Sequence, residues 1–206
     1  IGHSAMGGVT SADSNIAIGY NAMLVHTTGG ENIAIGKGAM DDNDAGSTSL
    51  SSNANTFIGV DAGGGTWTDA ASNQNVAIGN FAMDAAMAGA LANTAVGYGS
   101  LGSITSGDYN TVLGANAGAS LTSTSYNTLI GMGAGSALSG GDGNNNLLGQ
   151  SAGGLQVNGY HNVAIGSLAW YGVSGTNNSN YGVYVGTSAG QTVTTGDYNV
   201  MLGHKA

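Results

Sequence analysis

The side chains capable of chemistry in this chain are few and scattered. Metal binding would draw on His3, His26, His161 and His204, and on Asp41-Asp42-Asn43-Asp44, the one acidic cluster. A metal site needs ligands that converge in space. His3 and His204 occupy equivalent places eleven repeat units apart, so they cannot meet within one chain, although copies of one His around a threefold axis could hold an ion. The acidic cluster is oxygen-rich, as calcium prefers, but lacks the spacing and glycine of an EF-hand loop. Asp108, Asp142 and Asp197 stand singly at turns. Serines are plentiful, yet none is marked out with a His and an Asp, and no carboxylate pair is defined. The chain therefore reads as non-enzymatic, without cofactor or metal. The remaining recognition candidates are aromatic. Trp67, Trp170, Tyr171 and Tyr181 lie in or beside three insertions, where rings could stack on a sugar, anchor a receptor or cap a coil edge.

What positions these residues is a repeat. The run Asn15-Ile16-Ala17-Ile18-Gly19 returns as Asn32-Ile33-Ala34-Ile35-Gly36 and as Asn162-Val163-Ala164-Ile165-Gly166. Number the unit from its Asn. Place 4 is then always aliphatic, place 5 always Gly, and place 8 Ala in every copy but Ser100. The place-5 glycines run from Gly2 to Gly203 in twelve copies, at steps of 17, 17, 23, 20, 18, 17, 17, 18, 17, 20 and 17 residues. Fixed-period similarity of this kind signals a solenoid. The whole of 1–206 is then a single array of about twelve 17-residue coils, each touching only its neighbours. Both termini fall inside a unit, so the chain reads as an excerpt of a longer fibrous protein.

Composition narrows the partners. Net charge is −9, with two lysines and no arginine, which leaves no basic footprint for nucleic acid or an anionic membrane. No apolar run is long enough to insert in a bilayer. Cysteine and proline are both absent, and an uninterrupted hydrogen-bonded ladder favours the second absence.

Places 2 to 4 predict a strand, because place 2 is mostly β-branched. Alternation sets places 2 and 4 on one side and place 3 on the other. Taking the aliphatic pair as interior, place 3 points outward, and its residues are never charged. Another chain would then have to cover them. A weaker second strand is expected at place 12, where Val9, Ile104, Leu121, Leu138, Val173 and Val193 recur. The longer steps insert residues at 41–54, 64–74 and 171–181, and such corners often carry a solenoid's binding face. A row of stacked Asn residues at place 1 predicts an amide ladder along the axis.

The Asn-x-Ala-Ile-Gly-x-x-Ala runs at 15–22, 32–39 and 162–169 resemble the head repeats of YadA-type trimeric autotransporter adhesins, and Thr27-Thr28-Gly29 resembles the corner of phage tail-fibre repeats. The likeness covers essentially the whole chain, though adhesin heads use a shorter coil. It implies an all-β, left-handed parallel β-roll wound as a homotrimer, in an extracellular fibre on a virion or cell surface. Its partners would be other copies and a surface receptor or glycan. Two rival classes remain. An ice-binding solenoid would use a threonine row, hinted at by Thr56, Thr94, Thr111 and Thr128 but interrupted by Ile, Val and Asn and placed on the inward face. A trimeric glycan hydrolase would need acids converging between chains.

Overall fold

The computed structural model describes residues 1–8, 11, 13–25, 28–41, 51–67, 70–173 and 178–206. It is an all-β parallel solenoid. Eleven three-residue strands form one sheet in chain order: β1 Ile16–Ile18, β2 Ile33–Ile35, β3 Thr56–Ile58, β4 Val76–Ile78, β5 Thr94–Val96, β6 Thr111–Leu113, β7 Thr128–Ile130, β8 Asn146–Leu148, β9 Val163–Ile165, β10 Val183–Val185 and β11 Val200–Leu202. They are the predicted places 2 to 4 of each complete unit, paired in step, so that Ile16 faces Ile33 and Ile33 faces Thr56. The insertions do not shift this register.

Coils this short turn sharply, and the turns rest on left-handed backbone. Gly at place 5 adopts φ of +141 at Gly19 and +144 at Gly59. There is no room for a side chain either, because a Cβ on Gly166 would lie 2.6 Å from the Gly186 carbonyl oxygen. Places 7 and 9 are also left-handed and mostly not glycine, as at Asn21 (φ 56) and Met23 (φ 54). The residue before the Asn behaves likewise, from Ser14 (φ 60) to Tyr198 (φ 60). Each such residue costs about 1–2 kcal/mol. Stacking holds them there, since their N–H groups donate to adjacent coils: Asn21 to the His3 carbonyl at 3.0 Å, Met23 to Ala39 at 3.0 Å.

The two sheet faces are the reverse of the sequence expectation. Place 3 is the core, with Ala34, Phe57, Ala77, Leu129 and Tyr184 fully buried. Places 2 and 4 face outward, with Ile16, Ile18, Leu113 and Ile165 all exposed. The reason is the Asn at place 1, which is buried, as Asn93 and Asn110 show. Alternation carries place 3 to its side. With apolar residues on both faces, hydrophobicity alone could not separate them.

Inside, places 3 and 9 share one volume. Ala17, Ala34, Ala77, Ala95 and Ala164 are matched by Met23, Met40, Met83, Leu101 and Trp170 six residues later. Phe57, Val112, Leu129, Leu147 and Tyr184 are matched instead by Gly63, Gly118, Gly135, Gly153 and Gly190. A Cβ on Gly63 would lie 3.0 Å from the Phe57 ring, and one on Gly153 2.6 Å from Leu147 Cδ1. The place-8 alanines Ala22, Ala39 and Ala62 are wholly buried beside this space.

No second strand forms at place 12 among the described residues. Ile104, Leu121 and Leu138 are buried there and anchor the corner by packing, whereas Val173 is exposed. Among the described residues, only isolated bridges, Asn73 with Leu91 and Asn178 with Thr195, occur outside the sheet. Val9 lies outside the described residues.

The shared volume is testable. Ala77→Leu should overpack against Met83 and cost about 1–3 kcal/mol. Adding Met83→Gly should recover most of that loss in urea denaturation. A double variant no more stable than Ala77→Leu alone would contradict the shared-volume account.

Candidate functional site

The corner preceding each strand is framed by two amide ladders. On its inner side, Asn75 Nδ2 donates to Asn55 Oδ1 at 3.2 Å, Asn93 to Asn75 at 3.1 Å, Asn110 to Asn93 at 2.9 Å and Asn127 to Asn110 at 2.9 Å. Each Oδ1 also accepts the backbone N–H of the next Asn, as Asn110 N–H to Asn93 Oδ1 at 2.9 Å. The second amide hydrogen goes to a turn carbonyl, Asn110 Nδ2 to Thr124 O at 2.9 Å. The predicted ladder therefore exists, with its donors and acceptors satisfied. Gly182, the one departure from Asn, has its cause in Tyr184: a Cβ there would meet the Tyr184 ring at 2.6 Å. The Tyr184 hydroxyl bonds Ser179 Oγ at 2.8 Å instead.

On the outer side a second ladder runs the opposite way, earlier coil donating to later side chain. Leu91 N–H donates to Asp108 Oδ1 at 2.8 Å, Asp108 N–H to Ser125 Oγ at 2.9 Å, and Asn180 N–H to Asp197 Oδ1 at 3.0 Å. Asp108 and Asp197 are thus turn acceptors, as their places suggested.

Between the ladders stands a left-handed residue whose side chain points to solvent. In the later coils this row is aromatic except at Asn144. Tyr109 and Tyr126 stack at 5.2 Å with planes 13° apart. His161 and Tyr181 stack at 5.2 Å and 5°, and Tyr181 and Tyr198 at 5.1 Å and 7°. Tyr160 meets His161 and Tyr181 edge-on, at 5.6 and 5.4 Å. The Tyr160 phenol is pushed above its ordinary pKa, first by lost hydration and then by Tyr181, Asp197 and Asp142. It stays a protonated donor at neutral pH.

Of the aromatic residues singled out by sequence, the structure keeps only part on the surface. Trp67 and Trp170 belong to the core, 2% and 0% exposed. Trp67 packs edge-on against Phe57 at 5.7 Å and donates to the Gly63 carbonyl at 3.1 Å. Trp170 stacks on Tyr184 at 5.8 Å, filling the volume that the small Ala164 leaves. Both rings are withdrawn from the surface, Trp170 in the space beside the small Ala164 and Trp67 against the Phe57 ring. Tyr171 is half-buried against Gly154, and Tyr181 is exposed in the middle of the aromatic row. Sequence reasoning missed Tyr109, Tyr126, Tyr160, His161 and Tyr198 as members of one surface. The signal was present in the dipeptides Tyr109-Asn110, Tyr126-Asn127, His161-Asn162 and Tyr198-Asn199, all in one register.

The repeat residues Asn15, Ile18, Gly19, Asn32, Ile35, Gly36, Asn162, Ile165 and Gly166 occupy equivalent positions along the solenoid, with the isoleucines outward. His3 stacks on Tyr20 at 5.4 Å, while His26 and Asp42 to Asp44 lie outside the described residues. Among the described residues no three potential ligands gather to hold a metal ion, and no helix is long and apolar enough to cross a membrane. No family model matches the chain, and neither a curated protein nor a solved structure gives a match.

One acid is out of the ordinary. Asp84 is raised from 3.8 to about 6, by burial first and then by the negative charge of Asp61. Between those values the folded chain holds a proton that the unfolded chain has released, so stability falls as pH rises from about 4 to 6. Asp84→Asn should therefore raise the thermal midpoint at pH 7 and leave it unchanged near pH 3.5. The gain should stay under about 1 kcal/mol, because the group is only half-buried and water still screens it. Equal effects at the two pH values would contradict this reading.

Proposed function

We propose that the chain is a structural and adhesive segment of an extracellular fibre, on a virion or a cell surface, assembled as a homotrimer. The observation that carries this is the outward sheet face. Its place-4 row is aliphatic throughout, as at Ile18, Ile35, Ile58, Ile130 and Ile165, and its place-2 row mixes Ile16, Ile33, Val76, Val163 and Val183 with Thr56, Thr94, Thr111, Thr128 and Asn146. Eleven strands at about 4.8 Å, each about 10 Å long, make a largely apolar strip on the order of 500 Å². Patches of that size mark interaction surfaces, and parallel sheets are normally covered on both faces. The need for a partner stands on a different face from the one the sequence suggested. Place 3 needs no cover; places 2 and 4 do. Copies of the same chain, with their axes parallel, supply a matching strip, and the threefold count follows the resemblance to adhesin heads. The polar corners, turned away from that seam, are then free to meet a receptor or glycan.

A second reading gains from the same finding. Thr56, Thr94, Thr111 and Thr128 lie on the outward face, not the inward one, so the geometric objection to ice binding falls away. Against it, the neighbouring place-4 row is wholly aliphatic, and Asn146 interrupts the threonine row.

Sedimentation separates the two. The fibre reading expects trimers for the native chain and monomers, with unchanged circular dichroism, for Leu113→Asp combined with Ile130→Asp, because a charge on the seam would be buried unpaired. A compact native monomer that shows thermal hysteresis would reject the fibre reading in favour of ice binding.

A further inference from the structure

The aromatic row on the corner has one internal break, and the geometry points to a use for it. We propose that the break at Asn144 is a carbohydrate-binding slot, walled by the rings of Tyr126 and His161, that accepts one neutral or amino-hexose ring. The inference deepens the adhesive reading and rests on it.

The register fixes the walls. Tyr126 (φ 62), Asn144 (φ 59) and His161 (φ 57) share one left-handed backbone conformation. Their N–H groups donate to equivalent carbonyls, those of Asp108, Ser125 and Gly143, at 3.0, 3.1 and 3.0 Å. Their side chains therefore leave the rod from successive rungs of one row. Where successive rungs are both aromatic, ring centres are 5.1 to 5.2 Å apart. Tyr126 and His161 are two rungs apart, about 10 Å, which leaves the thickness of one stacked ring between them. A short amide stands at that rung and leans toward the Asp142 carbonyl, with Nδ2 3.4 Å from the oxygen. Exposure agrees. Tyr181, covered on both faces, is 42% exposed, whereas Tyr126, covered on one, is 57% exposed.

The chemistry of the rim selects the ligand. A hexopyranose has apolar C–H faces and hydroxyls around its edge, so it needs flat walls and polar groups at the sides. The walls are aromatic, and Asn144, the exposed Asp142 carboxylate and the protonated Tyr160 phenol stand at the edge of the same corner. A purely aromatic ligand would use the walls and leave these groups idle. Acidic sugars would meet Asp142 and a chain of net charge −9. Elsewhere along the described row, Ser14, Glu31, Ala54, Gln74 and Ala92 have no ring on both sides, so they form no slot.

Saturation-transfer NMR with methyl glycosides of glucose, galactose, mannose, N-acetylglucosamine and glucosamine tests this on the native chain and on two variants. Asn144→Tyr fills the slot with a residue the row already carries at four equivalent positions, so its fold should be kept and its thermal midpoint should not fall. Binding should drop by about tenfold or more in Asn144→Tyr and in Tyr126→Ala, and stay unchanged in Tyr20→Ala. Undiminished sugar binding by Asn144→Tyr would overturn the slot while leaving glycan adhesion standing. A native chain that binds none of the glycosides, or binds only p-nitrophenol added as an aromatic probe, would also overturn the slot. Trimer formation would then still judge the fibre reading separately.

Discussion

The structure depends on the satisfaction of buried amides from one rung to the next. An Asn side chain hidden from water without partners costs about 1–3 kcal/mol. Here Asn55, Asn75, Asn93, Asn110, Asn127, Asn145 and Asn162 avoid that cost because each reaches its equivalent in the neighbouring coil. That is possible only if every coil returns to the same point in space. Extra residues can therefore be accepted at corners and nowhere along the strands. The ladder also orients the chain: with place 1 inside, place 3 follows it in and places 2 and 4 are turned out. Where the ladder loses a side chain, at Gly182, a tyrosine hydroxyl from within the same coil takes its space.

Packing obeys a second, more local constraint. Each coil has room for one large side chain across places 3 and 9, supplied from either place but not from both. A methionine, leucine or tryptophan at place 9 must adopt a left-handed backbone, as Met83 (φ 52) and Trp170 (φ 50) do. The coils that put the bulk at place 3 use glycine there and avoid that strain. Compensation within a coil lets the sequence vary widely while the cross-section stays constant, as stacking demands when each coil contacts only its neighbours.

The two constraints divide the surface. The strand face is largely apolar, with a place-4 row that is aliphatic throughout. The corner is polar, left-handed and laddered on both sides, which displays one side chain per coil at a fixed spacing. Tyr109, Tyr126, His161, Tyr181 and Tyr198 are positioned by that arrangement and not by a pocket. What such a rod displays is a matter of which residue stands at which rung.

By itself the sequence determined the repeat, the strand residues, the glycine bends, the small corner at place 8 and the amide ladder. All of these follow from identity at a fixed period, and period is what a sequence displays directly. The structure decided which face is inside, because Ile16 and Ile18 on one side and Ala17 on the other are all apolar, and only the buried Asn beside them breaks the tie. It also decided that Trp67 and Trp170 are core while Tyr109 and Tyr126 are surface. Ring chemistry does not distinguish those fates; the volume left by Ala164 for Trp170, the Phe57 ring against Trp67, and the left-handed place before each Asn do. Those are properties of the closed coil, formed only once residues seventeen apart in the chain lie one rung apart in space.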